Sequence, residues 1–216
     1  MTVTASVTIP IKNIQLNPGS LITICDVTWE QFEAILEERE AEGIRTRIAY
    51  SKGTLEIMSP LPVHERSHRI IGYIVTTLLD DRERDWEDFG STTFRKQAKA
   101  AGLEPDTCFY IQNAQQMRDR MRIDMTIDPP PDLAIEADVT SKTTLEIYEA
   151  LEVPEVWIYT EEKFAIHVLV DGQYVESSTS PTFPDLPILE LIPQLVDRAF
   201  TDGSSTMLRE LRKQMS

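Results

Sequence analysis

The sequence predicts an α/β fold in which a central mixed β-sheet is flanked by helices. Segments with a helical spacing of apolar residues alternate with short apolar runs along most of the 216-residue chain. The short runs are bounded by Pro or Gly and are rich in β-branched or aromatic residues, as strands are. Two predicted hairpins, one in each half of the chain, add antiparallel neighbours to the sheet.

The first helix and the first hairpin have clear boundary signals. Thr28, with Gln31 three residues later, forms a capping box, which predicts a helix over residues 29–42. Gly43 is placed to end that helix, because glycine readily takes the left-handed conformation found at helix C-termini. A turn-forming segment then separates two alternating runs, which predicts a hairpin. Its strands are residues 45–50 and 54–58.

The remaining chain alternates in the same way. The longest predicted helix, residues 62–84, carries too many apolar residues for one narrow stripe, so we expect it to be largely buried. Asp171-Gly172 favours a type I′ turn between a second pair of hairpin strands. The other predicted helices are residues 113–122, 143–151 and 205–214. The other predicted strands are residues 89–96, 104–111, 131–139, 154–159, 164–170 and 173–177, and residues 99–102 are expected to form a loop.

Length and composition favour one globular domain. The chain is 41% hydrophobic and 26% charged, and no apolar run approaches the roughly 20 residues that span a membrane. We expect an N-terminal arm at residues 1–20, a single domain at residues 21–200 and a C-terminal helix at residues 201–216. The two cysteines, Cys25 and Cys108, favour buried thiols of a cytoplasmic protein over a disulfide framework.

The charge of the chain is strongly acidic, with a formal net charge of −15. This balance works against a simple nucleic-acid-binding module, which usually presents a basic surface. Two local basic clusters remain as candidate contacts for an anion. They are Arg95, Lys96 and Lys99, and Arg118, Arg120 and Arg122.

Two acidic residues lie in or beside short apolar runs that read as strands. Asp106 follows Pro105, and Glu136 follows Leu133-Ala134-Ile135. A carboxylate in an apolar strand requires a partner, and carboxylates that converge from neighbouring strands are costly unless a cation lies between them. Lys142 follows the second strand closely. Carboxylates with one lysine are suited to holding a hard divalent metal and activating a water molecule.

Several motifs around these acids resemble a known family, the Uma-type restriction endonucleases, which belong to the PD-(D/E)XK nuclease superfamily. The similarity covers most of the chain, from about Trp29 to Tyr174. The matching motifs are Glu104-Pro105-Asp106-x-x-Phe109-Tyr110, Pro131-Asp132-Leu133-x-x-Glu136, Tyr148 and Val153-Pro154-Glu155-Val156-Trp157. The resemblance implies a restriction-endonuclease-like core and hydrolysis of DNA phosphodiesters with Mg²⁺ or Mn²⁺.

The resemblance also implies roles for individual residues. Asp106 and Glu136 match the two acids of the motif and are the expected metal ligands and catalytic residues. The motif's lysine position holds Asp138, so Lys142 is the expected catalytic lysine. Glu65, at the start of the long helix, matches the helix carboxylate that often completes such a site.

Further residues are candidates with less defined roles. Glu104 is either a partner of the site or a surface acid, and Tyr148 either packs in the core or forms a wall of the site. Asp138 shares a strand face with Glu136 and is expected near the metal. Arg95, Lys96 and Lys99 are the candidate DNA-binding residues, and the resemblance favours a homodimer.

Two other functions remain open at this stage. Asp138 in place of the lysine is compatible with a nuclease fold that has lost catalysis and acts as a binding or regulatory protein. The run His64-Glu65-Arg66-Ser67-His68 also satisfies the His-Glu-x-x-His pattern of zinc peptidases, in which two histidines bind zinc and the glutamate acts as base. That pattern is short and frequently occurs by chance.

Overall fold

Helices and strands alternate along the chain in a computed structural model. The structure describes residues 9–137, 143–160 and 163–215, except for the side chains of residues 62–64 and 143. The α-helices are α1 (Trp29–Glu42), α2 (Pro62–Asp81), α3 (Ala114–Met117), α4 (Thr143–Leu151), α5 (Ile188–Arg198) and α6 (Ser204–Met215). The strands are β1 (Leu21–Ile24), β2 (Arg47–Ser51), β3 (Thr54–Met58), β4 (Glu87–Asp88), β5 (Phe94–Lys96), β6 (Ala101–Leu103), β7 (Thr107–Tyr110), β8 (Leu133–Ala137), β9 (Glu155–Tyr159), β10 (Phe164–Val170) and β11 (Gln173–Ser177).

The first sheet has five antiparallel strands in the order β1-β3-β2-β6-β5. Its β2–β3 hairpin confirms the sequence prediction. Ser51 pairs with Thr54, and the two turn residues Lys52 and Gly53 both have positive φ, as a type I′ turn requires.

The second sheet is mixed and has six strands in the order β11-β10-β9-β8-β7-β4. Strands β8 and β9 are parallel, and α4 lies between them in the chain, as expected for a crossover connection. The other described pairs are antiparallel. Asp171 and Gly172 both have positive φ and join β10 to β11, which confirms the second predicted type I′ hairpin.

The α/β fold class is confirmed, but two sheets replace the single sheet that we expected. The strand predicted at 89–96 is too long, because only residues 94–96 of that range form a strand, β5 of the five-stranded sheet. Strand β4, which belongs to the six-stranded sheet, ends just before the predicted range. A turn with Gly90 at φ 53° separates β4 from β5. The predicted loop at 99–102 instead forms most of β6, which pairs with both β2 and β5.

The six-stranded sheet separates two apolar layers because its side chains alternate between the two faces. Leu133 and Ile135 of β8 pack against α2, α5 and α6. Ala134, between them, packs with Ile147 and Tyr148 of α4 and with residues of the five-stranded sheet. Glu136 follows the same alternation and therefore lies on the side of α4.

A third apolar cluster joins α1 to the five-stranded sheet. The ring of Phe32 stacks on Tyr50, with 4.6 Å between centroids, and it also covers Gly102 of β6. A Cβ atom at Gly102 would lie 2.8 Å from the Phe32 ring, so this contact requires glycine. Ile11, within the predicted arm, is buried in this cluster. The domain boundaries proposed from the sequence stay predictions.

The helix boundaries follow local signals where these are strong. The Thr28–Gln31 capping box forms as predicted, and Gly43 ends α1 in the left-handed conformation. Helix α2 ends at Asp81, three residues before the predicted end. The helix predicted at 113–122 is wrong in length, because α3 has only four residues. The chain beyond α3 instead forms turns around the buried Asp128, which accepts a 2.9 Å hydrogen bond from the Asp124 N–H.

Helix α2 is the longest helix that the structure describes, with 20 residues. Neither α2 nor any other helix in the described ranges combines the length and the apolar character that crossing a bilayer requires. The apolar residues of α2 instead face the six-stranded sheet, as expected for a buried helix.

Candidate active site

Two adjacent strands bring together the two acids that the sequence singled out. Asp106 immediately precedes β7, and Glu136 lies within β8. Thr107 pairs with Ile135 in antiparallel register, so Asp106 is directly beside Glu136. The Ala137 N–H donates a 2.6 Å hydrogen bond to Oδ2 of Asp106. This contact fixes the Asp106 carboxylate against the neighbouring strand.

Helix α2 adds two side chains from its N-terminal half. Glu65 and His68 are three residues apart and share a helix face. One ligand atom from each of Glu65, His68 and Asp106 lies within 4.8 Å of the other two. The structure therefore adds an imidazole, which the sequence analysis did not propose for the nuclease site.

The surroundings of His68 fit a bound cation. His68 is only 5% exposed, and neither ring nitrogen has a hydrogen-bond partner of good geometry among the described residues. Its Nε2 lies 3.2 Å from Oε2 of Glu65, a close contact that lacks the alignment of a hydrogen bond. Buried polar groups normally have partners, and an imidazole beside two carboxylates is a common metal-binding set. Glu65, His68 and Asp106 could therefore hold a divalent metal.

Glu136 lies next to this group but outside it. Its Oε1 accepts a 2.5 Å hydrogen bond from the hydroxyl of Tyr148 on α4. Burial, followed by the charge of Asp106, raises the pKa of Glu136 to about 8, although the Tyr148 hydrogen bond acts in the opposite direction. Of the two metal ligands expected from the sequence, Asp106 is in the three-residue group and Glu136 is its neighbour.

Arg47 bridges the carboxylates from β2. Its Nη2 lies 2.9 Å from Oε1 of Glu65 and 3.0 Å from Oδ1 of Asp106. Its Nη1 donates a 2.6 Å hydrogen bond to the carbonyl oxygen of Pro105. The Arg47 side chain is 13% exposed, so a largely buried guanidinium is a counter-charge that two acids of the candidate site share.

These contacts have opposite net effects on the two acids that Arg47 bridges. Burial is the largest influence on Asp106 and raises its pKa, because the opposing charge of Arg47 does not fully compensate. Burial also acts to raise the pKa of Glu65, but Arg47 and His68 together lower it. The surroundings of Glu65 thus favour its ionised form, whereas those of Asp106 favour its neutral form.

Glu104 is neither a surface acid nor in contact with the three-residue group. Its carboxylate forms a two-pronged ion pair with the guanidinium of Arg39 on α1. The Thr93 hydroxyl donates a further 2.6 Å hydrogen bond to Glu104. The Glu104 side chain is 6% exposed, so this ion pair joins α1 to the strands inside the protein. Its geometry indicates a structural role.

A groove with a cavity volume of about 790 Å³ begins at the candidate site, because Arg47 and Glu65 form part of its lining. Six of its lining residues are arginines: Arg39, Arg45, Arg47, Arg69, Arg95 and Arg122. Three are acids: Glu40, Glu65 and Glu104. The groove is therefore locally basic in a chain with a net charge of −15. Such a surface suits a polyanion.

Three of the groove arginines are available for a ligand. Arg45, Arg69 and Arg122 are exposed. Within residues 9–137, 143–160 and 163–215 none of the three forms a salt bridge. The other groove arginines are already paired, Arg39 with Glu104, Arg47 with Glu65 and Asp106, and Arg95 with Glu33 at 2.9 Å.

The three residues proposed from the sequence as DNA contacts are separated by the fold. Arg95 lines the groove, whereas Lys96 pairs with Glu152 at 2.5 Å. Lys99 is exposed outside the groove lining. In the second basic cluster, Arg118 pairs with Glu87 and Arg120 pairs with Asp128, so Arg122 is the member that reaches the groove.

Some sequence candidates lie outside the described residues. These are Asp138 and Lys142, which fall between the end of β8 and the start of α4. The side chain of His64 is also outside the described part. Of the two histidines and the glutamate in the zinc-peptidase pattern, the structure therefore describes the side chains of Glu65 and His68. The roles assigned to Asp138 and Lys142 stay predictions.

Sequence reasoning did not assign Arg47 to this site, and it assigned His68 only to the zinc-peptidase alternative. A signal for His68 was present, because it lies three residues after Glu65 on a predicted helix. Arg47 had no distinguishing signal, since a charged residue at the start of a hairpin strand is common. Its contact with Asp106 joins residues 59 positions apart and depends on the fold.

Comparisons with known proteins identify the family of the chain. A family model described as "Uma2: Putative restriction endonuclease" matches residues 29–200. A crystal structure titled as that of a "putative nuclease belonging to DUF820" from Anabaena variabilis ATCC 29413 is similar at 13% sequence identity, with a TM-score of 0.45. The similarity covers 74% of this chain and 90% of that one. No curated protein matches the sequence. Because the family model spans most of the chain, the resemblance seen in the sequence is confirmed, and the chain belongs to the Uma2 family.

Proposed function

We propose that this protein is a metal-dependent endonuclease that hydrolyses phosphodiester bonds in DNA. One observation carries the proposal: ligand atoms of Glu65, His68 and Asp106 lie within 4.8 Å of one another at the edge of an arginine-lined groove. Membership of the Uma2 family supports the reaction class. A binding groove for a polyanion next to a metal-binding group suits metal-assisted hydrolysis of a phosphodiester.

Glu65, His68 and Asp106 would hold the divalent ion, and Glu136 is the adjacent fourth candidate. When bound, a divalent ion lowers the pKa of a water ligand and stabilises the negative charge that develops on the phosphate. The carboxylates suit Mg²⁺ or Mn²⁺, and the imidazole of His68 favours Mn²⁺ of these two. The Ala137 N–H and the Tyr148 hydroxyl hold Asp106 and Glu136 in place.

Lys142 is the proposed catalytic lysine, because the residue at the usual motif position is Asp138. An ammonium close to the reacting phosphate would balance its charge and orient the attacking water. If this assignment is correct, Lys142→Ala should reduce cleavage strongly while leaving metal affinity nearly unchanged. A Lys142→Arg variant should restore part of the activity, since it returns the positive charge.

The DNA strand would lie along the groove, where exposed Arg45, Arg69 and Arg122 would contact its phosphates. Arginine binds phosphate through two parallel N–H donors, which gives orientation as well as attraction. The groove also explains how an acidic protein could bind DNA, because the attraction is confined to one surface.

The test is metal-dependent cleavage of supercoiled plasmid by the wild-type protein, Asp106→Asn and Glu136→Gln. Both variants preserve side-chain size, and we expect each to lose at least about 100-fold in rate. Asp197→Asn, at an exposed aspartate on α5, is the matched control and should cleave normally. A folded wild-type protein that cleaves DNA with neither Mg²⁺ nor Mn²⁺ would instead support the non-catalytic binding protein.

We also propose that the protein forms a homodimer and is located in the cytoplasm. Light scattering of the purified protein measures its mass directly and would show whether two copies associate. Zinc content tests the peptidase alternative, because that reading requires bound zinc whose retention depends on His64 and His68.

A further inference from the structure

Arg47 uses the same carboxylates that would bind a metal. One guanidinium nitrogen, Nη2, lies within hydrogen-bond distance of both Glu65 and Asp106, at 2.9 and 3.0 Å. These residues supply two of the three ligand atoms in the candidate group. A positive charge of the protein itself therefore lies where an external cation would be attracted.

The remaining carboxylate oxygens are also in contact with neighbouring groups. Oδ2 of Asp106 accepts the Ala137 N–H at 2.6 Å, and Oε2 of Glu65 faces Nε2 of His68 at 3.2 Å. A cation that binds Asp106 and Glu65 must therefore compete for oxygens that already have partners. Of these partners, Arg47 alone carries a permanent charge, and it would repel a divalent ion at the same oxygens.

The guanidinium has a second environment available to it. Arg47 lines the groove together with Arg45, Arg69 and Arg122. A guanidinium that leaves the carboxylates can meet a phosphate there, and phosphate offers it the same two-pronged geometry as carboxylate. Movement of one side chain would thus connect the metal-binding group to the binding of a phosphodiester strand.

We propose that Arg47 is an exchangeable counter-cation, which a divalent metal displaces from Asp106 and Glu65 and which then binds a phosphate in the groove. The proposal rests on the metal-dependent function proposed above. It makes metal and DNA binding mutually favourable, since each is stronger when Arg47 has left the carboxylates. Such coupling is reciprocal, so the metal tightens DNA binding by the same factor as DNA tightens metal binding.

The alternative is that Arg47 only maintains the shape of the site. Burial of Asp106 requires a positive neighbour, and a scaffold residue would provide one without moving. The two roles predict opposite effects on metal affinity. Removing a competitor strengthens metal binding, whereas removing a scaffold separates the carboxylates and weakens it.

The experiment is calorimetric titration of Mn²⁺ into DNA-free wild type, Arg47→Met and Arg45→Met. Methionine keeps an unbranched apolar stem but removes the guanidinium. We expect Arg47→Met to bind Mn²⁺ at least about fivefold more tightly than wild type, the lower end of typical coupling between sites. Arg45→Met removes an exposed charge from the same groove and should change affinity by less than about twofold, because that charge is screened by solvent.

Weaker or unchanged Mn²⁺ binding by a folded Arg47→Met protein would overturn the exchange. Arg47→Lys is a second variant for the case in which the methionine protein does not fold. Lysine keeps the charge on a single ammonium that cannot engage phosphate as a fork, so it should retain near-wild-type metal affinity but lose the coupling to DNA.

The coupling is measured with a fluorescent oligonucleotide that carries non-hydrolysable phosphodiester analogues, bound to the wild-type protein with and without Mn²⁺. We expect Mn²⁺ to tighten DNA binding by about fivefold or more, and this gain to disappear in Arg47→Met. Equal gains with and without Arg47 would contradict the proposal. Failure of the exchange can be distinguished from failure of the proposed function. If the wild-type protein binds Mn²⁺ and cleaves plasmid, but neither effect on affinity depends on Arg47, only the exchange is overturned. Absence of Mn²⁺ binding by both wild type and Arg47→Met overturns the metal-dependent function as well.

Discussion

The hydroxyl of Tyr148 on α4 donates a 2.5 Å hydrogen bond to Oε1 of Glu136 on β8. Helix α4 follows β8 in the crossover to β9. The hydrogen bond therefore joins Glu136, on β8, to the helix that comes next in the chain. Tyr148 is 1% exposed, and the hydrogen bond favours the ionised form of Glu136. Tyr148 is therefore a core residue that also contacts Glu136, and its role as a wall of the site stays a prediction.

Removing this donor should change the pH dependence of cleavage. In Tyr148→Phe the pKa of Glu136 rises further, because burial and the charge of Asp106 act without the opposing hydrogen bond. We expect about tenfold slower cleavage near neutral pH and a pH–rate midpoint that moves upward by about one unit.

Tyr174→Phe is the matched control for this measurement. Its hydroxyl donates a 2.5 Å hydrogen bond to the carbonyl oxygen of Val153, away from the acids of the site. The control should show the same pH–rate midpoint as the wild type. If Tyr148→Phe lowers the cleavage rate but leaves the midpoint of the pH–rate profile unchanged, the Tyr148 hydroxyl does not affect the pKa of Glu136, which would contradict this prediction.

The stability of the metal-free protein should fall as pH rises from about 4.5 to about 8. Folding raises the pKa of Glu136 from 4.5 to about 8, so the folded protein binds more protons than the unfolded chain in this range. The raised pKa of Asp106 acts in the same direction. The free energy of unfolding should decrease by up to about 1.4 kcal/mol per pH unit for each such group.

Urea unfolding at a series of pH values measures this dependence, and Glu136→Gln is the informative variant. Glutamine does not ionise, so the variant should lose much of the slope above pH 5 or so and become more stable than wild type at the alkaline end. A wild-type stability that is flat or increases across this range would contradict the assigned pKa direction.

The ion pair between Arg39 and Glu104 should contribute to stability rather than to chemistry. Glu104→Gln leaves the largely buried Arg39 without a full partner, and we expect a loss of about 3–5 kcal/mol in the free energy of unfolding. The exposed pair of Lys163 and Glu176 is the comparison. Glu176→Gln should leave stability nearly unchanged, because solvent screens that pair.

The salt dependence of DNA binding tests the groove. Each of Arg45→Ala, Arg69→Ala and Arg122→Ala should weaken binding and reduce the slope of log affinity against log salt by about one. Lys213→Ala removes an exposed charge from α6, outside the groove lining, and should leave the slope unchanged. Equal effects of all four substitutions would indicate non-specific attraction over the whole surface.

Local signals in the sequence predicted local structure well. The Thr28–Gln31 capping box sets the start of α1, and Asp171-Gly172 sets the turn of the second hairpin, because each depends on neighbouring residues only. The approach of Asp106 to Glu136 was also predicted, because the ends of neighbouring strands can converge and a carboxylate in an apolar strand requires a partner. The division into two sheets was not, because β4, β5 and β6 have only two or three residues each.

The composition of the site depended on contacts across the chain. Arg47 reaches Asp106 from a different sheet, and Arg39 finds Glu104 over 65 positions. Neither Arg47 nor Arg39 lies in a local sequence pattern that predicts these contacts. The groove likewise collects arginines from widely separated segments, so an overall charge of −15 concealed a basic surface.

The most direct measurement is calorimetric titration of Mn²⁺ into the wild-type protein, Asp106→Asn and His68→Ala. His68 is decisive because the structure, rather than the motif, adds it to the group. We predict one site in the wild type and at least about 100-fold weaker binding in both variants. Wild-type affinity in both variants, or no binding by a folded wild-type protein, would contradict a metal centre formed by Glu65, His68 and Asp106.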